Sequence, residues 1–144
     1  LVWCFYAPQS STATRQNRLL AIAVTVSGLI SVVFGVIVTG AGPHAGDAKT
    51  PRNGLDLEIW QHYHSYPAYL TLALTLTAVL LAAKGSLHRK ITLGLLGALL
   101  YQAAIGVIQA RTGVPPLLVG LHVTGAAVLC SLLWFQLFAT KQKR

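Results

Sequence analysis

Residues 19–40 read LLAIAVTVSGLISVVFGVIVTG and contain no Asp, Glu, Lys or Arg. A stretch of this length and polarity matches the roughly 20 apolar residues that an α-helix needs to cross a lipid bilayer. Because hydrocarbon offers no partner to backbone N–H and C=O groups, the stretch must be helical, and it lacks the alternating pattern of a barrel strand. The segment therefore predicts a transmembrane helix.

Three further stretches have the same character, and the composition of the whole chain agrees with them. Of the 144 residues, 54% are hydrophobic and 10% are charged, and the mean hydropathy is +0.62. Soluble domains carry charge on about a quarter of their residues, so this chain is not an ordinary soluble domain. We predict an all-α integral membrane protein that forms a four-helix bundle. Its helices are expected at about 19–40, 59–83, 91–110 and 117–140.

The distribution of charge predicts the orientation. Short connections favour antiparallel neighbours in an up-and-down bundle, and most basic residues then share one side of the membrane. The positive-inside rule makes that side cytoplasmic, so both ends of the bundle are expected there. The net charge of +8 is thus a signal of topology, and it gives no support to a nucleic-acid partner. The basic residues expected inside are Arg15, Arg18, Lys84, Arg89, Lys90, Lys141, Lys143 and Arg144, and the charged residues expected outside are Lys49, Arg52, Arg111, Asp47, Asp56 and Glu58.

The start of the chain predicts a division near residue 17. Residues 1–7 (LVWCFYA) are apolar, lack an initiator Met and precede a polar linker. A signal peptide has its basic residues before the apolar run, whereas here they follow it. We therefore interpret residues 1–17 as the end of a preceding transmembrane helix plus a cytoplasmic linker, and residues 18–144 as the bundle. Cys4 and Cys130 lie outside any metal-binding spacing and are expected to be packing residues.

His64 and His122 are the strongest candidate functional residues. Each lies near the start of a helix that enters from the outer side, about 8–9 Å along its axis. Ionisable side chains inside a membrane are costly and usually functional. Two imidazoles at equal depth on the second and fourth helices can bind one iron from opposite sides, as haem ligands do. The sequence thus predicts a haem held between these helices.

Neighbouring residues fit the same use. Gln102, Gly106 and Gln109 recur with helical spacing on the third helix, and this stripe is expected to face the interior. Gly125 shares the helix face of His122 and is expected, with its small neighbours, to leave room for a flat macrocycle. Small residues in membrane helices more often mark close helix packing. The glycines expected to mark such contacts are Gly28, Gly35, Gly94, Gly97 and Gly106.

The outer loops supply charged candidates. Haem propionates would point outward, where Arg111, Arg52 or Lys49 could pair with them, and the planar fork of Arg suits a carboxylate best. Glu58 is a weak candidate for a catalytic acid. It lies about 240° around the helix from His64 and does not share its face, so the expected position of Glu58 is a solvated loop end.

The remaining histidines are expected to be interfacial or solvated. His62 points about 200° away from His64 on a helix, which makes it interfacial. His44 lies in a loop rich in Gly and Pro, and His88 lies beside two basic residues on the cytoplasmic side. We therefore expect none of these three to be a ligand of the predicted haem.

Pro67 leaves two descriptions of the second helix open. Proline inside a helix removes a backbone hydrogen bond and kinks the chain, whereas at a first turn it is favourable. Either the helix bends just past His64, or it starts near Tyr66 and leaves His64 at the membrane boundary.

Four segments carry a resemblance to a known family. They are residues 38–47 (VTGAGPHAGD), 61–64 (QHYH), 101–106 (YQAAIG) and 118–122 (LVGLH). In order and spacing they resemble the C-terminal half of bacterial haem A synthase, a cytochrome oxidase assembly family, particularly its actinobacterial form. The likeness covers most of residues 19–140.

The resemblance implies a function. Haem A synthase consists of two duplicated four-helix halves and oxidises a methyl group of haem O to the formyl group of haem A. The resemblance implies that His64 and His122 ligate a haem b in the second half. The catalytic acid and an outer-loop cysteine pair belong to the first half, so the fragment alone is expected to be inactive. Implied partners are membrane lipid, the N-terminal half, haem O synthase and oxidase assembly factors, in the bacterial plasma membrane.

Two other functions remain open on the sequence. One is a b-type electron-transfer cytochrome without synthase activity, which would be favoured by histidine pairs spaced across the membrane, and this chain has only the outer pair. The other is a haem-free structural or transport bundle, in which His64 and His122 make polar contacts between helices.

Overall fold

The computed structural model describes residues 13–43, 49 and 51–140, and the regular secondary structure of these residues is entirely helical. The elements are α1 (Arg15–Ala41), α2 (Leu57–Leu81), α3 (Leu87–Arg111) and α4 (Pro116–Phe138). Each is long and apolar enough to cross a membrane. The predicted all-α, four-helix transmembrane architecture is therefore confirmed, and the chain is a multi-pass membrane protein. The predictions for residues 1–12, among them Cys4, and for His44 lie outside the described residues.

The first three helices begin a few residues earlier than hydropathy predicts, because polar side chains cap them. Thr14, Asp56 and Ser86 each accept a hydrogen bond from the backbone N–H three residues on, at 3.2, 3.0 and 3.1 Å. Such caps satisfy backbone donors that a helix start leaves without partners. Pro116 begins α4, where the missing N–H of proline costs nothing.

Pro67 lies inside α2, which continues unbroken on both sides of it. The alternative in which the helix starts near Tyr66 is therefore wrong, because Asp56 starts the helix well before that point. The carbonyl of Pro67 accepts a hydrogen bond from Thr71 Oγ1 at 2.7 Å. His64 consequently lies within a helix that spans the membrane.

Hydrogen bonds between α1 and α2 show how these two helices are oriented. On α1 and α2, Ser27 Oγ lies 2.9 Å from Thr71 Oγ1, and Ser31 Oγ donates to the carbonyl of His64 at 3.1 Å. As residue numbers rise on α1 they fall on α2, so the two helices are antiparallel. α1 also packs on α4, and α3 packs on both α2 and α4. α2 and α4 therefore lie diagonally across the bundle.

The two ends of the bundle differ in packing. We call the end at which α1 and α3 begin the His88 end, and the opposite end the His64 end. Gly28 allows α4 to approach closely, since a Cβ there would lie 2.8 Å from Leu133 Cδ1. By contrast, no atom of the described residues lies within 4 Å of a Cβ at Gly97, so the expectation that Gly97 marks a helix contact is wrong. The buried apolar core lies toward the His88 end and consists of Val24, Leu95, Leu99, Leu129 and Leu133.

The outside of the bundle is apolar on every helix. Among the most exposed side chains are Val36, Leu80 and Leu117, at 69%, 70% and 74% of their full accessibility. A water-soluble monomer rarely exposes so continuous an apolar surface. This surface matches the hydrocarbon of a bilayer.

Candidate functional site

His64 is oriented by the backbone of α1. Its Nδ1 lies 2.8 Å from the carbonyl oxygen of Ser31. A carbonyl oxygen only accepts hydrogen bonds, so Nδ1 carries the proton and Nε2 keeps its lone pair. The hydroxyl of Ser31 in turn donates to the backbone carbonyl of His64 at 3.1 Å. Histidines that ligate metals are commonly held in this way, with the second ring nitrogen bonded to a carbonyl.

His122 is held by α3 through its backbone. Gln102 Nε2 donates to the carbonyl oxygen of His122 at 2.9 Å. The imidazole lies against Gly106, where a Cβ would lie 3.3 Å from the ring Cε1. His122 Nδ1 is buried and has no hydrogen-bond partner among the described residues. The second ring is thus positioned by packing, whereas the ring of His64 is positioned by a hydrogen bond.

The two imidazoles meet across the interior of the bundle. The ring centres of His64 and His122 are 6.2 Å apart and the ring planes are inclined by 81°. A metal held by two imidazole nitrogens at about 2 Å each separates the ring centres by about 6 Å, once the radius of each ring is added. The matched depth in the sequence therefore corresponds to a short distance in the structure, and that distance is suited to one shared metal.

The metal-binding side chains that the structure describes here are too few for a bare metal ion. In the described part of the chain no three or more His, Cys, Asp or Glu side chains form a group that could hold one. Structural zinc needs four protein ligands and catalytic zinc needs three. A haem iron receives its equatorial nitrogens from the macrocycle and takes only axial ligands from the protein. Among the described residues, two imidazoles without a third ligand therefore fit haem better than zinc or another free cation.

Glycines seat both imidazoles. A Cβ at Gly35 would lie 3.0 Å from Cε1 and 3.2 Å from Nδ1 of His64, and Gly106 has the corresponding place beside His122. Contacts this short are tighter than ordinary van der Waals packing. Any larger residue at Gly35 or Gly106 would therefore have to displace a ring.

Gly125 does not leave the space that the sequence predicted. A Cβ there would lie 2.7 Å from Gln102 Oε1 and 2.9 Å from Tyr101 Cε1. The missing side chain makes room for α3, so the expectation of space for a macrocycle at Gly125 is corrected. An open apolar groove of about 340 Å³ lies beside it on the surface of α3 and α4 and contains neither histidine of the pair. It is lined by Ala98, Tyr101, Leu121, Thr124, Gly125 and Val128.

Several buried polar atoms on α3 and on His122 have no hydrogen-bond partner among the described residues. Gln102 Oε1 and Gln109 Oε1 are buried without hydrogen bonds to the described residues, as is His122 Nδ1. Buried polar atoms nearly always have a protein or water partner. The stripe of Gln102, Gly106 and Gln109 thus contains two buried amide oxygens that accept no hydrogen bond from the described residues.

The charged candidates lie at the loop side of the pair. Arg52 Nη2 donates to the carbonyl of Pro43, and Arg52 Nη1 is buried with no partner in the described residues. Arg111 is exposed in the last turn of α3, and Lys49 is exposed in the loop. Glu58 is exposed in the first turn of α2. None of the four contacts a histidine of the pair through a hydrogen bond that the structure describes.

Ser31 and Gly35 are site residues that sequence reasoning missed in these roles. The backbone carbonyl of Ser31 accepts the hydrogen bond from His64 Nδ1, and Gly35 lies against the His64 ring. A signal for them exists in the sequence, because Ser31 and Gly35 follow Gly28 at helical intervals and so share one face. His62, in contrast, is exposed and stacks on Tyr66 with ring centres 6.1 Å apart.

Compared with known protein families, curated proteins and solved structures, this chain matches none. Its function must therefore be inferred from the geometry of the histidine pair and from the resemblance in the sequence.

Proposed function

We propose that this protein binds a haem b at the His64 end, and that His64 and His122 would be the two protein ligands of its iron. The observation that carries the proposal is the separation of 6.2 Å between the two ring centres. The hydrogen bond from His64 Nδ1 to Ser31 supports it, because it leaves Nε2 as a lone-pair donor.

Each neighbouring residue has a role in this proposal. The carbonyl of Ser31 orients the ring of His64, and Gln102 fixes the backbone that carries His122. Arg52 and Arg111 are the candidates to pair with propionate groups, since a guanidinium can bind a carboxylate with two hydrogen bonds. A haem bound by two histidines supplies a one-electron redox centre.

The wider proposal is that the chain is the C-terminal half of a haem A synthase in a bacterial plasma membrane. In that protein, His64 and His122 would hold a haem b that supplies a redox centre for the oxidation of the haem O methyl group in the N-terminal half. Support comes from the four resembling segments and from the position of the histidine pair. The catalytic group is unassigned, and Glu58 remains only a weak candidate. Haem O synthase and oxidase assembly factors are the proposed partners, and the positive-inside rule places the His64 end outside the cytoplasm.

An optical spectrum tests the haem proposal directly. We expect the 144-residue chain, purified in detergent after expression with haem, to show the spectrum of a low-spin haem with two nitrogen ligands. His64→Ala and His122→Ala should each abolish that spectrum. His62→Ala is the matched control, because His62 lies two residues from His64 but is exposed, and it should leave the spectrum intact. Unchanged Soret and α bands in either ligand variant would refute the assignment.

A conversion assay separates the synthase from an electron-transfer cytochrome. The 144-residue chain alone should give no haem A from haem O, whereas the same chain joined to an N-terminal synthase half should give it. Haem A made by the isolated chain would overturn the division of labour between the halves. A normal low-spin spectrum with no conversion in the joined protein would instead favour the cytochrome.

A further inference from the structure

His88 occupies a position that its sequence neighbours do not predict. It is the second residue of α3 and was expected to be solvated, but its side chain retains only 4% of its accessibility. That expectation is wrong because His88 points into the bundle, where the backbone of Gln136 on α4 lies near the ring. The structure thus contains a buried histidine at the end of the bundle opposite the candidate haem site.

Both ring nitrogens of His88 are buried and form no hydrogen bond of good geometry with the described residues. A neutral imidazole always carries one N–H donor and one acceptor. The backbone of Gln136 can pair with at most one of the two ring nitrogens, so at least one is left without a partner among the described residues. This is a rare arrangement in a folded protein, because buried polar groups are nearly always paired with protein or water.

Gln136, whose backbone lies near the ring of His88, carries a further unsatisfied atom at the same end of the bundle. The residue is fully buried, and its Nε2 donates to the carbonyl of Ala21 at 3.0 Å and to Thr25 Oγ1 at 3.3 Å. Those bonds fix the direction of the amide and leave Oε1 without a partner in the described residues. On α2, the fully buried hydroxyl of Thr75 is also unpartnered. Three helices thus bring unpaired polar atoms into the same end of the bundle.

The chemistry of these atoms selects the ligand. An apolar molecule would leave all of them unsatisfied. A metal ion needs more ligands than this end supplies, since the described residues contain no suitable group of three. Water donates and accepts at once, and an ordered water in a protein typically makes two to four hydrogen bonds. Water is therefore the ligand that both His88 and Gln136 can use.

We propose that His88 and Gln136 form an internal water site at the His88 end, and that the bound water exchanges protons with the imidazole of His88. The position near a helix start gives this site a short route to the aqueous phase. The site is separate from the histidine pair at the other end of the bundle and needs no haem.

No other charged group competes for this role inside the bundle. His88 is the single titratable side chain among the buried residues in the described part of the chain. On α2 and on α1, the buried groups near this end are neutral. The half-buried Arg89 directs its guanidinium to the carbonyls of Val79 and Ala82. The other described charges at this end are exposed and are Arg15, Arg18, Lys84 and Lys90.

Nuclear magnetic resonance of the full 144-residue chain tests the proposal. The chain is labelled with ¹⁵N-histidine, placed in lipid nanodiscs without haem, and assigned by backbone correlations. We expect magnetisation to pass from water protons to the ring nitrogens of His88, as it must for the exposed His62. Gln136→Leu should lower this transfer at His88 at least about twofold, because one partner of the water is lost. Ser131→Ala, which alters an exposed hydroxyl on the same helix, should leave it unchanged.

Transfer to His62 without transfer to His88 would overturn the proposal and show that the buried ring is dry. Full transfer at His88 in Gln136→Leu would remove Gln136 from the site. The wild-type measurement requires no substitution, so it decides the presence of water even if Gln136→Leu fails to fold. Since no haem is present, this result is independent of the spectrum that tests the histidine pair.

Discussion

The two ends of this bundle are built from the same four helices but are stabilised differently. At the His88 end, apolar side chains such as Leu95 and Leu133 are fully buried and interlock across the helices. At the His64 end, both histidines of the pair are only half-buried and are held by single hydrogen bonds and by glycines. The apolar core toward the His88 end therefore holds the helices in position, and the His64 end carries the candidate haem site.

This difference has a physical meaning. Tight packing gives a rigid set of helix positions, because interiors close-packed to this degree resist displacement. A binding site needs polar groups whose capacity is available to a ligand, and such regions have lower local stability. We expect substitutions in this apolar core to change the stability of the protein, and substitutions around the histidine pair to change what it binds.

The largest effect is expected from Leu133→Ala. Leu133 is fully buried and packs against Gly28, so its truncation should leave a cavity and lower the free energy of unfolding by about 2–5 kcal/mol. Leu117→Ala makes the same change on the same helix at a site that is 74% exposed. It should change stability by less than about 0.5 kcal/mol. Reversible unfolding in mixed micelles measures both free energies. Equal losses would contradict the stabilising role of the buried apolar core.

A smaller and different effect is expected from Gly35→Ala. The added methyl group would lie 3.0 Å from the ring of His64, and overpacking of this kind typically costs 1–3 kcal/mol. Haem affinity should fall about tenfold or more. Gly97→Ala adds the same group where no atom of the described residues lies within 4 Å, and it should leave haem affinity unchanged. The check is a haem titration followed by absorbance, and equal affinities in the two variants would exclude Gly35 as a seat for the ring.

Hydropathy and the position of a residue along its helix predicted those features of the molecule that do not depend on how each helix is rotated. The four helices follow from runs without charge, and the approach of His64 to His122 follows from their matched positions near helix starts. The rotation of each helix about its axis is harder to predict, because a helix that is apolar all round has little amphipathic signal. For that reason the sequence places Ser31 and Gly35 on one face of α1 but does not show that this face meets the ring of His64.

The buried position of His88 follows from helical spacing along α3 and not from the residues next to it in the sequence. Arg89 and Lys90 made the segment look solvated, but successive residues on a helix point about 100° apart. The buried residues of α3 recur at helical spacing from His88 onward, so the stripe itself indicates the inward direction of the first member. Continued along the helix, the same stripe reaches Gln102 and the candidate haem site. The buried members before that point are His88, Thr92, Leu95 and Leu99.

A third prediction concerns how α3 supports His122. Gln102→Leu removes the donor to the His122 carbonyl, and the loss of one such bond should destabilise the fold by about 0.5–1.5 kcal/mol. It should also weaken haem binding, because the backbone that carries the ligand is less firmly held. Gln109→Leu makes the same change on the same helix but removes a carbonyl oxygen that has no partner among the described residues. Comparable effects of the two substitutions on haem titration would show that Gln102 does not position His122.

The smallest effect is expected from Arg111, and it is best measured against Arg89. Arg111 is expected to affect haem retention, whereas Arg89 is expected to affect the stability of the fold. Arg111 is exposed at the His64 end, so a propionate pair there is solvent-screened, and Arg111→Ala should weaken haem retention by up to about fivefold. Arg89→Ala removes two hydrogen bonds to the last turn of α2, at 2.8 and 3.1 Å. It should lower the unfolding midpoint and leave haem retention unchanged. Transfer of haem to apomyoglobin measures retention, and equal transfer rates for the two variants would remove Arg111 from the site, because only the residue at the His64 end can reach a propionate.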